Sequence, residues 1–187
     1  AAEDKESFPE EIKRGTAQLL LLIDSMLEVS SLDVSDEKLP CEPVDVSGLC
    51  CQVGESLAQQ CGTEQVKSET DLPGEPLVVC TNGRYLTLVI ENLLGNAYKF
   101  TKEGHVTLSC RRIGNEVMIA VTDTGCGIPS EKREVVFGRF TKLDAHTQGS
   151  GLGLYLCRLI VHRLSGRIFV DPNYSGGTRV VVVLPFK

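Results

Sequence analysis

Asn92, Asn96 and Lys99 recur at helical spacing within residues 83–101. At about 100° per residue they share one side of a helix, opposite Leu86, Val89, Ile90, Leu93, Leu94 and Ala97. Amide oxygens suit a hard cation such as Mg2+, and an ammonium is a point charge for phosphate. Taken alone, a solvated helix face is the better reading of that stripe, because asparagine is a poor helix former but common at surfaces. A second run, Asp123-Thr124-Gly125-Cys126-Gly127-Ile128-Pro129, ends an apolar strand in a carboxylate followed by two glycines. Glycine admits close approach of backbone to ligand, and an ionised Asp accepts from an exocyclic amine such as that of adenine. The bland counterpart is a β-turn with a capping Asp. A third run, Gly149-Ser150-Gly151-Leu152-Gly153-Leu154, opens a helix whose free N–H groups and positive dipole end suit an anion. Alone it reads as a flexible loop.

The elements that must position these runs follow from periodicity and punctuation. Helices are expected over 46–61, 83–101 and 152–164. Strands are expected near Val66, over Leu77–Cys80, and at Val106–Ile113 and Val117–Asp123 around a Gly114-Asn115 hairpin turn. Two more, Ile168–Asp171 and Arg179–Leu184, flank Gly176-Gly177. Strands joined largely by hairpins predict a mixed, mostly antiparallel sheet with helices on one face, and no Walker pattern occurs. Residues 9–32 read as an amphipathic helix with Ile12, Leu19, Ile23 and Met26 in its stripe, packed either on its own domain or in a two- or four-helix dimer stem. Residues 33–43, with Pro40 and Pro43, read as a linker.

Composition narrows the function classes. Of 187 residues, 42% are hydrophobic and 24% charged, which suits one globular domain with an attached helix. A net charge of -6 argues against nucleic acid as the main partner, so a phosphate ligand must be held locally. Eight cysteines without C-x-x-C spacing are expected to be reduced thiols, mostly buried, in a cytoplasmic protein. No apolar run, Leu19 to Ile23 included, exceeds five residues, which is too short to cross a bilayer and leaves open a membrane-anchored parent.

Taken together and in order, N-x-x-x-N-A-x-K, D-T-G-x-G-I-P and G-x-G-L-G-L resemble the motifs of the histidine-kinase branch of the Bergerat-fold (GHKL) ATPases. Asn92–Phe100 is similar to the N box, Asp123–Pro129 to the G1 box, Val136-Phe137-Gly138-Arg139-Phe140 to the F box and Gly149–Leu154 to the G2 box. Ser175-Gly176-Gly177-Thr178 resembles the family's last hairpin. The resemblance implies an α/β (α+β) two-layer sandwich, with the ATP-binding catalytic domain over 39–187 and a stem remnant over 1–38. It implies that Asn92 and Asn96 hold Mg2+, that Lys99 reaches the phosphates and that Phe100 flanks the nucleotide. It gives Asp123 to the adenine amine, with Gly125, Gly127 and Ile128 shaping that pocket. Gly149, Gly151, Leu152 and Gly153 would turn backbone toward the phosphates. Phe137 and Phe140 either bracket a lid over 130–150 or anchor it in the core. Lys142 stands where the resemblance implies a basic residue near the phosphates, although a solvated lysine is the better single reading. Cys126 reads as a small variable residue, the alternative being a thiol exposed in the site.

ATP-hydrolysing relatives carry a glutamate one turn before the metal-binding asparagine; here that position is Asn92, and Glu91 points about 100° away. A site without a water-activating base suits transfer to a nucleophile from elsewhere. The expectation is therefore a sensor histidine kinase of a two-component phosphorelay, using ATP and Mg2+. None of His105, His146 and His162 is followed by the acceptor pattern, whereas residues 16–33 resemble the second stem helix. The acceptor is expected upstream, so this chain would bind ATP without phosphorylating itself. The implied partners are a dimerisation and phosphoacceptor domain and a response regulator receiver domain, in a homodimeric parent. The alternatives are a serine kinase of the same superfamily and a non-catalytic nucleotide-binding regulatory module.

Overall fold

The computed structural model describes residues 39–143 and 150–186, with single positions at 27 and 30. The chain divides into two units, residues 1–36 and 37–187, and the architecture below is that of the second. The stem helix expected over 9–32, Gly149 and His146 lie outside the described residues.

The second unit runs β1 (Glu42–Asp45), α1 (Val46–Cys61), β2 (Val66–Asp71), β3 (Val78–Thr81), α2 (Gly83–Phe100), β4 (Gly104–Ile113) and β5 (Glu116–Asp123). After two short 3-10 turns, Ser130–Lys132 and Val135–Phe137, come α3 (Gly153–Arg163), β6 (Arg167–Val170) and β7 (Thr178–Pro185). The main sheet has the order β2-β4-β5-β7-β6. Only β2 and β4 pair parallel; β4–β5, β5–β7 and β6–β7 are antiparallel. Gly114-Asn115 makes the two-residue hairpin between β4 and β5, with Gly114 at φ +59 as that turn requires.

Alternation along the strands decides what faces the helices. Leu108 pairs with Val121, Cys110 with Ile119, and Ile119 in turn with Val182. All of these are buried. Period two puts Asp123 on the same face as Val121 and Ile119, directly opposite Thr178 on β7. A second apolar cluster of Ala120, Val181 and Val183, with Met118 and Phe169 against it, occupies the alternate positions.

The helix α2 packs between α1 and α3 and against β5. Its stripe of Leu86, Val89, Ile90, Leu93, Leu94 and Ala97 is buried as the spacing predicts. Asn82 caps it, the side-chain Oδ1 accepting from Tyr85 N at 3.2 Å. That same amide donates to the Pro40 carbonyl at 3.0 Å. The basic last turn of α3, His162 and Arg163, complements its negative end.

Two expectations are corrected. Residues 42–45, partly read as linker, form β1 and pair antiparallel with β3, Glu42 opposite Thr81. A strand of four residues containing Pro43 gives no alternation to read, and its partner lies far along the chain. The same pairing brings Cys41 to Cys80, which form a disulfide with Cα atoms 5.6 Å apart. The thiols are therefore not all reduced. Of the free cysteines, Cys50, Cys110 and Cys157 are buried, while Cys61 and Cys126 are exposed.

Candidate nucleotide site

A cavity of about 240 Å3 opens between α2, the end of β5 and the start of α3. Its polar lining comes from Asn92, Asn96, Lys99, Asp123, Thr178 and Lys142. The three predicted runs, separated in sequence by tens of residues, thus converge on one space. Phe100, Gly127, Ile128, Gly151 and Gly153 also line it.

Asp123, within this lining, is only 5% exposed. Its Oδ1 accepts from Gly125 N at 2.9 Å and Thr178 N at 3.1 Å. Burial pushes its pKa up, and those two backbone bonds, with the Thr178 hydroxyl, pull it back. Both backbone bonds end on one oxygen, so the carboxylate retains acceptor capacity for a ligand donor. Gly125 itself does not line the cavity. Its role is steric and local, because a Cβ there would strike the Phe100 carbonyl and crowd Asp123 Oδ1.

Two cations, Lys99 and Lys142, also line the cavity. Burial lowers the Lys99 pKa, and the positive charge of Lys142 lowers it further. The Lys99 ammonium also lies 5.0 Å from the Phe100 ring centroid. Among the described residues neither lysine has a carboxylate partner within ion-pair distance. Two like charges held over one cavity are relieved by an anion placed between them. Lys142 is exposed and also lines the cavity, where the resemblance implied a basic residue.

In the same lining, Asn92 donates from Nδ2 to the Leu88 carbonyl at 2.8 Å, which frees its Oδ1 as a ligand oxygen. That oxygen lies beside Gly153, where a Cβ would come within 2.8 Å of it. Gly151 takes φ +73 and backs onto Phe140 and Thr141, so the loop into α3 reaches the cavity only with glycine there. Glu91 lines a separate groove with Gln52 and Ser56 of α1. Among the described residues, Asp123 is the one carboxylate that lines the cavity with the Asn92 and Asn96 amides.

Besides Gly125, two predicted site residues lie outside the lining. Phe137 and Leu152 are buried at 1% exposure and face the core. Val136 lines the cavity in place of Phe137. The F-box aromatic is thus a core anchor of the lid's first turns, and Leu152 anchors the start of α3. Phe140, in contrast, is exposed and adopts φ +58. Sequence reading missed Thr178 as a pocket residue. Its signal was the Gly176-Gly177-Thr178 step, which places the first residue of β7 opposite Asp123.

Comparison with known proteins agrees with this geometry. The sequence model of the family described as histidine kinase-, DNA gyrase B-, and HSP90-like ATPase matches residues 81–187, from the last residue of β3 through all the cavity-lining runs. Hybrid signal transduction histidine kinase L of Dictyostelium discoideum is 31% identical over 96% of this chain and 11% of its own length. The adaptive-response sensory kinase SasA of Gloeothece citriformis is 32% identical over 97% of this chain and 47% of its own. The chain therefore spans less than half the length of these relatives. Full-length ShkA, solved in complex with AMPPNP, superposes at a TM-score of 0.86, with 26% identity, covering 98% of this chain and 39% of that one. The catalytic domain of histidine kinase ThkA superposes at 0.72, with 25% identity, over 79% of this chain and 97% of its own. By the family match and the convergent cavity, the chain belongs to the histidine kinase-, DNA gyrase B- and HSP90-like ATPases and is of the sensor histidine kinase type, with the ATP-binding catalytic fold.

Proposed function

We propose that this unit binds Mg-ATP and delivers its γ-phosphoryl group to a histidine on a separate helical domain, within a cytoplasmic two-component relay. The observation that carries the reading is the lining of one cavity: a buried acceptor, Asp123, together with two lysines, Lys99 and Lys142, that have no carboxylate partner among the described residues. Asp123 accepts from the adenine amine. Lys99 and Lys142 meet the phosphates, and the backbone at Gly151 and Gly153 closes over them.

The donor set fits a hard cation, since Asn92 and Asn96 offer neutral amide oxygens and Asn92 keeps Oδ1 free of its helix. Mg2+, when bound with the nucleotide, neutralises phosphate charge. The protein's own contribution is position: α2 presents Asn92, Asn96 and Lys99 from consecutive turns of a helix locked by its buried stripe. With Glu91 lining a groove against α1, no carboxylate among the described residues stands one turn before Asn96 to activate water, and the phosphoryl group waits for an external nucleophile. The parent protein is proposed to be a homodimer that passes the phosphoryl group on to a receiver domain. The catalytic unit is taken to comprise residues 39–187. No helix among the described residues is long and apolar enough to cross a membrane.

Titration calorimetry tests the binding half. Mg-ATP should bind with micromolar-range affinity, and Asn96→Ala should remove the dependence on Mg2+ while metal-free ADP still binds. Steady ADP release by the chain alone, at the turnover of a hydrolase, would contradict the absence of a base.

A further inference from the structure

The loop between β6 and β7 wraps Asp123 on three sides. The Tyr174 hydroxyl donates to the Asp123 main-chain carbonyl at 3.2 Å. Gly177 lies so close that a Cβ on it would strike that same carbonyl. Thr178 N holds the carboxylate at 3.1 Å. Tyr174 is half-buried, with its hydroxyl 3.0 Å from where a Cβ on Gly176 would stand, so its ring closes over the Gly176-Gly177 turn. The loop's own base is fixed as well. Asn173 N donates to Asp171 Oδ1 at 2.9 Å, and Arg133, just after the Ser130–Lys132 turn, donates to the Pro172 carbonyl at 3.0 Å.

We propose that Tyr174 is a positioning residue for base recognition, fixing the main chain of Asp123 so that its carboxylate meets a 6-amino purine and rejects a 6-oxo purine. The inference rests on the reading of Asp123 as the adenine acceptor. The physical argument is local. Asp123 is the last residue of β5, and the chain turns away immediately after it through Gly125 and Gly127. A carboxylate at the end of a strand keeps its aim only if the terminal peptide is held. Here the hydroxyl of Tyr174 holds it from the carbonyl side while Thr178 holds the side chain. A 6-amino group donates to the carboxylate, whereas a 6-oxo group presents a second acceptor to it. Freeing the peptide relaxes both responses.

The test compares ATP with inosine triphosphate, and with tripolyphosphate as the base-free probe, by calorimetric titration of the wild type, Tyr174→Phe, Asp123→Asn and the double variant. Tyr174→Phe keeps the ring and removes one hydroxyl. The ratio of ATP to inosine triphosphate affinity should fall by about threefold to tenfold, with tripolyphosphate affinity unchanged. In the Asp123→Asn background, Tyr174→Phe should change ATP affinity no further, since a residue that acts through Asp123 is non-additive with it. Equal weakening of both nucleotides, an unchanged ratio, or full additivity overturns the assignment of Tyr174. If the wild type itself does not prefer ATP over inosine triphosphate, the reading of Asp123 has failed, which is a separate and distinguishable result.

Discussion

Replacing Asp123 by Asn isolates the chemistry of the adenine end from its architecture. The asparagine Oδ1 can still accept from Gly125 N and Thr178 N, which lie 2.9 and 3.1 Å from the native oxygen. Its Nδ2 then replaces the second carboxylate oxygen and points a donor at a donor. A hydrogen bond to a charged group contributes about 1.5–3 kcal/mol, so ADP and ATP should bind about 10- to 150-fold more weakly. Stability should move the other way. Because burial raises the Asp123 pKa, the folded protein holds the protonated form more readily than the unfolded chain does. The stability gained by that protonation is present below the unfolded value of 3.8 and is lost as pH rises through the folded pKa. At neutral pH the ionised carboxylate is therefore a net cost, and its neutral isostere should melt no lower than the wild type. The assays are ADP titration and thermal unfolding on the same samples. The same linkage predicts that wild-type affinity falls on acidification with a midpoint above 3.8. Asp123→Asn should show no such step. Wild-type ADP affinity in Asp123→Asn would refute the acceptor role, and a large loss of stability would show that the carboxylate is architectural.

Further expectations follow from the rest of the site. Gly153→Ala puts a Cβ 2.8 Å from Asn92 Oδ1 and should force that side chain off its bond to Leu88. Phosphoryl transfer should drop by about 100-fold while metal-free ADP still binds. Triphosphate affinity should fall as pH rises through the lowered pKa of Lys99, with an onset below 10.5. Lys142→Ala should shift that fall to higher pH because it removes the neighbouring charge, as titrations across the alkaline range would show. Ile90→Ala, at a fully buried point of α2, should cost about 2–5 kcal/mol in urea unfolding and loosen the helix that carries Asn92, Asn96 and Lys99.

What was legible in the sequence was what local periodicity encodes. The buried stripe of α2, the Gly114-Asn115 hairpin and the alternation that puts Asp123 at the end of β5 are each specified within one element. They place Asn92, Asn96, Lys99 and Asp123 on the cavity side without any knowledge of the partner elements. What was hidden depends on contacts far apart in the chain. The strand β1 exists because β3 accepts it, and the Cys41–Cys80 bond exists because β1 does. The resemblance pointed to a basic residue at Lys142, but its electrostatic effect on Lys99 is a tertiary property that no spacing states. Phe137 and Leu152 sit inside motifs whose neighbours line the cavity, yet both turn to the core. In a loop without regular periodicity, sequence does not say which of two adjacent apolar side chains goes inward. Tyr174 was unreadable because its partner is a carbonyl on another strand, and for Thr178 the Gly176-Gly177-Thr178 step marked a strand start but not the partner reached across the β5–β7 pairing.

The most direct test of the proposed activity is transfer of label from γ-labelled ATP. The chain should be mixed with Mg2+ and a purified helical domain that carries the acceptor histidine of a sensor kinase. The account predicts that label appears on the acceptor domain in an acid-labile, alkali-stable form, and disappears with Asn96→Ala. Label released only as inorganic phosphate, or fixed in an acid-stable hydroxyl ester, would contradict it.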